Sequence, residues 1–236
     1  MTTSQTIGEL NSEFFDSIAK STYSADWVRN LVQQISSFLR EHVEWIAPPK
    51  EGGWRVLDYA CGSGIASMAL TAHASVLRGI DISGGMVDQY NATALSLNLK
   101  PEQMHGVRGN ILENDETLNG SEFQRFDVAI MSMALHHVED PAAMVKKLTE
   151  RLVPGGSLVI IDWLPHGEKA GEQGMRSHSH LISHYGFSEA EMQDMYAQAG
   201  LGDFGFLLHP EQSEILGGGM NQLFFARGKL PVSSDP

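Results

Sequence analysis

The stretch VLDYACGSG, Val56 to Gly64, decides how the rest of the chain is read. Val56 and Leu57 close a short apolar run that reads as a buried strand, with Asp58 at its carboxyl end. Cys61-Gly62-Ser63-Gly64 predicts a tight turn, and Ile65 to Leu70 resumes with helical composition. A strand feeding a glycine turn feeding a helix offers backbone amides to a ligand at the strand ends of a doubly wound sheet. Glycine suits such a turn because backbone must approach the ligand closely and can need positive φ. The dinucleotide fingerprint G-x-G-x-x-G is not completed, since Gly62 and Gly64 fit but its third position falls on Ser67. The stretch alone leaves two readings: a ligand cradle, or a turn that only lets a helix pack on a sheet.

The flanking sequence extends the pattern. Ser75 to Ile82 predicts a second strand that carries Asp81 at its end, 17 residues beyond Gly64. A carboxylate there can accept two hydrogen bonds from the vicinal hydroxyls of a ribose, a feature that indicates adenosine without choosing the cofactor. Ser83 to Val87 opens a helix that carries Met86. Met104 to Leu112 reads as a third strand and its exit. Phe126 to Met131 reads as a fourth, followed by a loop from Ser132 to Pro141 that carries His136 and His137. Pro141 suits the first position of the next helix, and Val153-Pro154-Gly155-Gly156 turns into a fifth strand ending at Asp162. Ser188 and Glu191 form a capping box. Phe204 to Leu208 and Asn221 to Arg227 read as a terminal antiparallel hairpin. Ahead of all this, Ile7 to Ala47 is helical in pattern, with a stripe of Trp27, Leu31, Ile35, Phe38, Leu39, Val43 and Ile46, a cap at Ser24 or Asp26, and Pro48-Pro49 as its end.

These stretches together resemble the class I S-adenosylmethionine (SAM)-dependent methyltransferases, of the type 11 and UbiE-like small-molecule group. Asp58 with Ala60-Cys61-Gly62-Ser63-Gly64 matches the motif D-x-G-C-G-x-G, with Ala60 where the first glycine is usual. Asp81-Ile82-Ser83 with Met86, Phe126-Asp127 with Leu135-His136-His137, and the turn Leu152 to Gly156 follow in the family's order. The resemblance implies an α/β fold with a doubly wound, Rossmann-like, seven-stranded and mostly parallel sheet, a terminal antiparallel hairpin and an N-terminal helical lid. It implies a helical cap over residues 1–50, a SAM-binding domain over 51–230 forming one unit with the cap, and a disordered tail over 231–236. It assigns SAM contacts to Tyr23, Asp58, Ala60, Cys61, Gly62, Gly64, Asp81, Ile82, Met86, Asn110, Ile111 and Ser132. Phe14 to Trp27 resembles the stretch F-N-x-x-A-x-x-Y-D, which makes it an active-site lid with Tyr23 near the methionine end of SAM; the other reading is a plain packing helix. At Asn110 the family usually has an acid that accepts from the adenine amino group, and an asparagine oxygen can accept without the charge.

Composition narrows the partners. Asp and Glu outnumber Lys and Arg by 29 to 16, a formal charge of −13, which argues against a nucleic-acid substrate. No signal-like opening and no apolar run near about 18 residues occur, so the expectation is a soluble cytoplasmic protein without a membrane partner. Methyl transfer needs a base only where the nucleophile must lose a proton, and histidine suits that work. The histidine-bearing interval 163–187 makes His180 and His184 the leading candidates, with His137 next and His136 and His178 behind. A metal site on His180 and His184 with His178 or His166 is the rival reading, but no H-E-x-x-H motif supports it and no metal is expected. The expected activity is methyl transfer from SAM to a small-molecule acceptor. The alternative is a methyltransferase fold that binds SAM without transfer.

Overall fold

A computed structural model describes residues 5–19, 25–113, 115–166, 181–214 and 219–232 of the chain. Its helices are α1 (Ile7–Ile18), α2 (Asp26–Glu41), α3 (Val43–Ile46), α4 (Ile65–Leu70), α5 (Gly84–Ser96), α6 (Pro141–Thr149) and α7 (Glu189–Gln198). Its strands are β1 (Trp54–Tyr59), β2 (Ala74–Asp81), β3 (Met104–Arg108), β4 (Phe126–Ser132), β5 (Leu152–Trp163), β6 (Gly202–Glu214) and β7 (Met220–Lys229). They form one seven-stranded sheet in the order β3-β2-β1-β4-β5-β7-β6. β1 to β5 are parallel, and β7 runs antiparallel between β5 and β6, so the expected fold and terminal hairpin are present. The chain enters at the centre with β1, steps out to β3, and crosses back to β4. This reversal leaves a crevice at the carboxyl ends of β1 and β4, where sheets of this kind bind ligands.

Both faces of the sheet are covered, and the period-two alternation of the strands divides the core. Val56, Val159 and Phe225 point to one face, where they pack with Leu31, Ile35, Phe38 and Leu39 of α2 and Ile46 of α3. Leu57, Ile160 and Phe224 point to the other, against Leu148 of α6 and Tyr196 of α7. α2 and α3 therefore pack into the main core of the sheet.

Local signals set the element ends. Ser83 caps α5 by accepting from Met86 N, Asp140 caps α6 ahead of Pro141, and Ser188 and Glu191 form the reciprocal box of α7. Two details differ from expectation. Ala25, without a side-chain bond, stands at the N-cap of α2, with Asp26 as the first helical residue; Ser24 lies outside the described residues. β5 begins at Leu152 and takes in the Pro154-Gly155-Gly156 turn, with Gly155 at φ 82°. Of the tail, residues 233–236 lie outside the described residues. Among the described residues no helix is long and apolar enough to cross a membrane.

Candidate active site

The carboxyl ends of β1, β2, β3 and β4 open onto a cavity of about 770 Å³, closed on its far side by α1 and α2. The glycine turn forms its floor. Gly62 and Gly64 take φ of 50° and 88°, and Ala60 takes φ 54°. The alanine that replaces the usual first glycine thus sits in the left-handed region, as does Met133 beyond β4 at φ 55°. Both residues line the cavity, so backbone strain of order 1–2 kcal/mol each is held at the strand ends.

Asp81 is anchored by backbone: Oδ2 accepts from Gly62 N and Oδ1 from Ser83 N, each at 2.9 Å. Burial pushes its carboxyl above the usual range, against those two hydrogen bonds. Each oxygen keeps a further lone pair for a ligand hydroxyl. Asp58 lies deeper. Its Oδ2 accepts from Ser67 N at 3.1 Å and Ser67 Oγ at 2.7 Å, and burial pushes its pKa up to about 7. Ser67 Oγ in turn accepts from Tyr90 Oη at 2.8 Å. The Tyr90 ring fills a slot made by glycines: a Cβ at Gly64, Gly79 or Gly106 would come within 3.1, 2.8 or 2.9 Å of it.

The loop after β3 is tied to β1. Tyr59 Oη accepts from Ile111 N at 3.3 Å and donates to Asn110 Oδ1 at 3.1 Å. Leu112 N donates to the same Oδ1 at 3.0 Å, and Asn110 Nδ2 donates to Glu113 Oε1 at 3.0 Å.

α1 closes the cavity with an inverted pattern. Its polar residues Asn11 and Ser12 are buried, while Phe14, Phe15 and Ile18 are half-buried and line the cavity. Asn11 Nδ2 donates to Leu181 O at 3.1 Å and Ser12 Oγ to Ile82 O at 3.0 Å. Asp16 Oδ1 accepts from Ser83 Oγ at 2.6 Å and Gly85 N at 2.8 Å, bonds that hold its carboxyl below the usual range.

The loop after β4 carries a paired acid and base. His136 Nδ1 lies 2.8 Å from Asp162 Oδ1, and His136 N donates to Asp162 Oδ2 at 3.1 Å. Asp162 is fully buried and His136 nearly so. A carboxylate only accepts, so Nδ1 bears a proton, and in the neutral ring Nε2 carries the lone pair. His137 donates from Nδ1 to Leu181 O at 2.7 Å, and burial beside His136 pushes its pKa down to about 3. The two rings lie 4.1 Å apart, and Phe15 packs edge-on against His137 at 5.4 Å.

Of the residues singled out from sequence, Asp58, Ala60, Cys61, Gly62, Asp81, Ile82, Met86, Asn110, Ser132, His137 and His184 line the cavity. Gly64 and Ile111 do not. Gly64 faces the Tyr90 ring and the Met104 side chain, and Ile111 is buried in the core on the other face of the sheet. Tyr23 and His180, with His178, lie outside the described residues. Among the described residues no cluster of three or more His, Cys, Asp or Glu is placed to hold a metal ion. Sequence reasoning passed over Asp162 as a partner, the hydrogen-bonding roles of Tyr59 and Ser67, and Tyr90 altogether. Gly79 and Gly106, glycines inside strands, were the available sign that something large approaches there.

The donor set suits SAM. Asp81 can take a ribose, the glycine turn accommodates close approach, and Asp58 offers a carboxylate to a cationic ligand group. Comparison with known proteins agrees. A methyltransferase of Schizosaccharomyces pombe, described as uncharacterized, is 34% identical over 121 residues, 50% of this chain and 42% of that protein. A ubiquinone biosynthesis O-methyltransferase of Coxiella burnetii is 32% identical over 106 residues, 45% of this chain and 42% of that protein. Each match thus spans less than half the length of the relative. The crystal structure of magnesium protoporphyrin IX methyltransferase from Synechocystis, with bound SAM, superposes with a TM-score of 0.66 at 16% identity, covering 96% of this chain and 99% of that one. With residues 31–202 matched by a family model described as a methyltransferase domain, the chain belongs to the methyltransferase domain family.

Proposed function

We propose that this protein transfers the methyl group of SAM to a hydroxyl of an uncharged, largely apolar small molecule, with His136 as the general base. The observation that carries this reading is the His136–Asp162 pair beside the cavity, Nδ1 to Oδ1 at 2.8 Å. SAM supplies an electrophilic methyl group on a sulfonium, and displacement from it needs alignment above all. An alcohol or phenol must also lose its proton. His136 Nε2 takes it, while buried Asp162 holds the tautomer and steadies the imidazolium that forms. His137, held neutral by burial, packs beside that ring and orients it. The apolar wall of Phe14, Phe15, Trp27, Leu31, Ile35 and Leu181 suits an acceptor with a hydrocarbon or aromatic body. The O-methyltransferase named among the relatives supports the hydroxyl.

The test measures S-adenosylhomocysteine (SAH) release from a panel of apolar phenols and alcohols. His136→Ala should lower turnover by about 10²–10⁴-fold while SAH affinity stays within about threefold of the parent. Asp162→Asn should also lower it, whereas His184→Ala should change it little. Near-parental turnover in His136→Ala would remove the base. Tight SAM binding with no methylated product from any acceptor would favour a SAM-binding protein without transfer.

A further inference from the structure

Asn110 occupies the position from which the resemblance expects an acid to recognise adenine, yet its side-chain oxygen is already fully engaged. Its Oδ1 accepts from both Tyr59 Oη and Leu112 N, at 3.1 and 3.0 Å, and a carbonyl oxygen has two lone pairs. Its Nδ2 faces Glu113, donating to Oε1 at 3.0 Å. The loop folds back so that Glu113 N donates to Asn110 O at 3.1 Å, which brings the two side chains to the same end of the cavity. That end is where a base must lie if Asp81 holds the ribose. β3 flanks β2 on the side away from β1, so a nucleoside with its sulfur end over the glycine turn carries its base to the loop after β3. Ile82, Met86 and the exposed Leu112 supply apolar flanks for a planar ring there.

We infer that Glu113, tethered by the Asn110 amide, is the residue that accepts the hydrogen bond from the exocyclic amino group of adenine. Oε2 and the second lone pair of Oε1 remain to it after the tether is made. The sequence thus restores the charged acceptor that Asn110 lacks, three residues later, and uses Asn110 as a positioning residue. A charged acceptor outperforms an amide oxygen for this bond.

The assignment rests on the cofactor reading above, and one experiment separates the two. Calorimetry on the full chain would compare SAH with its 6-deamino analogue, in which hydrogen replaces the amino group. The parent should bind SAH about 10–100-fold tighter than the analogue. Glu113→Ala should bring that ratio below about threefold, with affinity for the analogue nearly unchanged, because a double-mutant cycle isolates the pair. Asn110→Ala, which keeps the carboxylate but loses its tether, should retain a ratio of at least about fivefold. A ratio that survives in Glu113→Ala, or collapses only in Asn110→Ala, would overturn the assignment while leaving the cofactor in place. A parent that binds neither ligand would overturn both.

Discussion

A carboxylate stripped of water at the heart of the site works against the fold that holds it. Asp58 is 2% exposed, and burial pushes its pKa up to about 7 despite the two hydrogen bonds from Ser67. In the unfolded chain the same group titrates near about 3.9. Between about pH 4 and pH 7 the folded state therefore binds the extra proton, and its stability falls as pH rises through that window. Asp58→Asn should raise the stability of the ligand-free protein at pH 8 by about 1–3 kcal/mol, read from urea melts. The same variant should weaken SAM binding, because the ionised carboxylate is a partner for a cationic ligand group. In the parent, SAM binding near pH 7 should release a proton, seen as a dependence of the calorimetric heat on buffer ionisation enthalpy. Unchanged melts together with unchanged SAM affinity would mean that Asp58 neither strains the fold nor meets the ligand.

At the scale of elements, α1 and α2 differ in what holds them. α2 buries Leu31, Ile35, Phe38 and Leu39 against the sheet. α1 turns its aromatic residues to the cavity and docks through hydrogen bonds that Asn11 and Ser12 donate and Asp16 accepts. An element with few buried apolar contacts opens locally at lower cost than the core does. Within the N-terminal segment we propose α1 as the gating element. Asp16→Ala removes the bonds to Ser83 Oγ and Gly85 N, and should speed amide exchange across Ile7–Ile18 by about tenfold with α2 unaffected. Added SAH should slow exchange in α1 of the parent. If α1 exchanges alike in both proteins, with and without SAH, it is a fixed wall and Asp16 merely decorates it.

Over the whole molecule, the formal charge of −13 sets a field that repels anions. The cavity adds to it: its described lining contains Asp58, Asp81, Glu113 and Glu139 but no lysine or arginine. An acceptor bearing a carboxylate or phosphate would find no described cationic partner there. For a matched pair of acceptors, a carboxylic acid and its methyl ester, the ester should show a KM lower by about tenfold or more. Raising the salt from about 0.05 to 0.5 M should narrow that gap by screening. A preference for the acid at low salt would place a cation in the site and contradict the uncharged acceptor class.

Much of the architecture was written locally and could be read from the chain. The buried runs of β1 and β4, the glycine turn from Cys61 to Gly64, Pro141 at the start of α6, and the capping box of Ser188 and Glu191 depend on neighbours within a few residues. Hydrophobic period, backbone φ and capping are short-range properties, so pattern suffices for them. Asp81 was legible for the same reason, since the end of β2 follows from where β2 stops. The acid–base pair was not legible. His136 and Asp162 meet because β4 and β5 pair in parallel with Ser132 opposite Ile161, a register that no local signal specifies. Nor does local sequence reveal that Tyr90 draws on Gly64, Gly79 and Gly106, or that Tyr59 occupies the oxygen of Asn110 and leaves Glu113 as the acceptor. Residue type states what a side chain can donate or accept. Which lone pair is left for a ligand is decided by partners distant in sequence, and so by the tertiary structure alone.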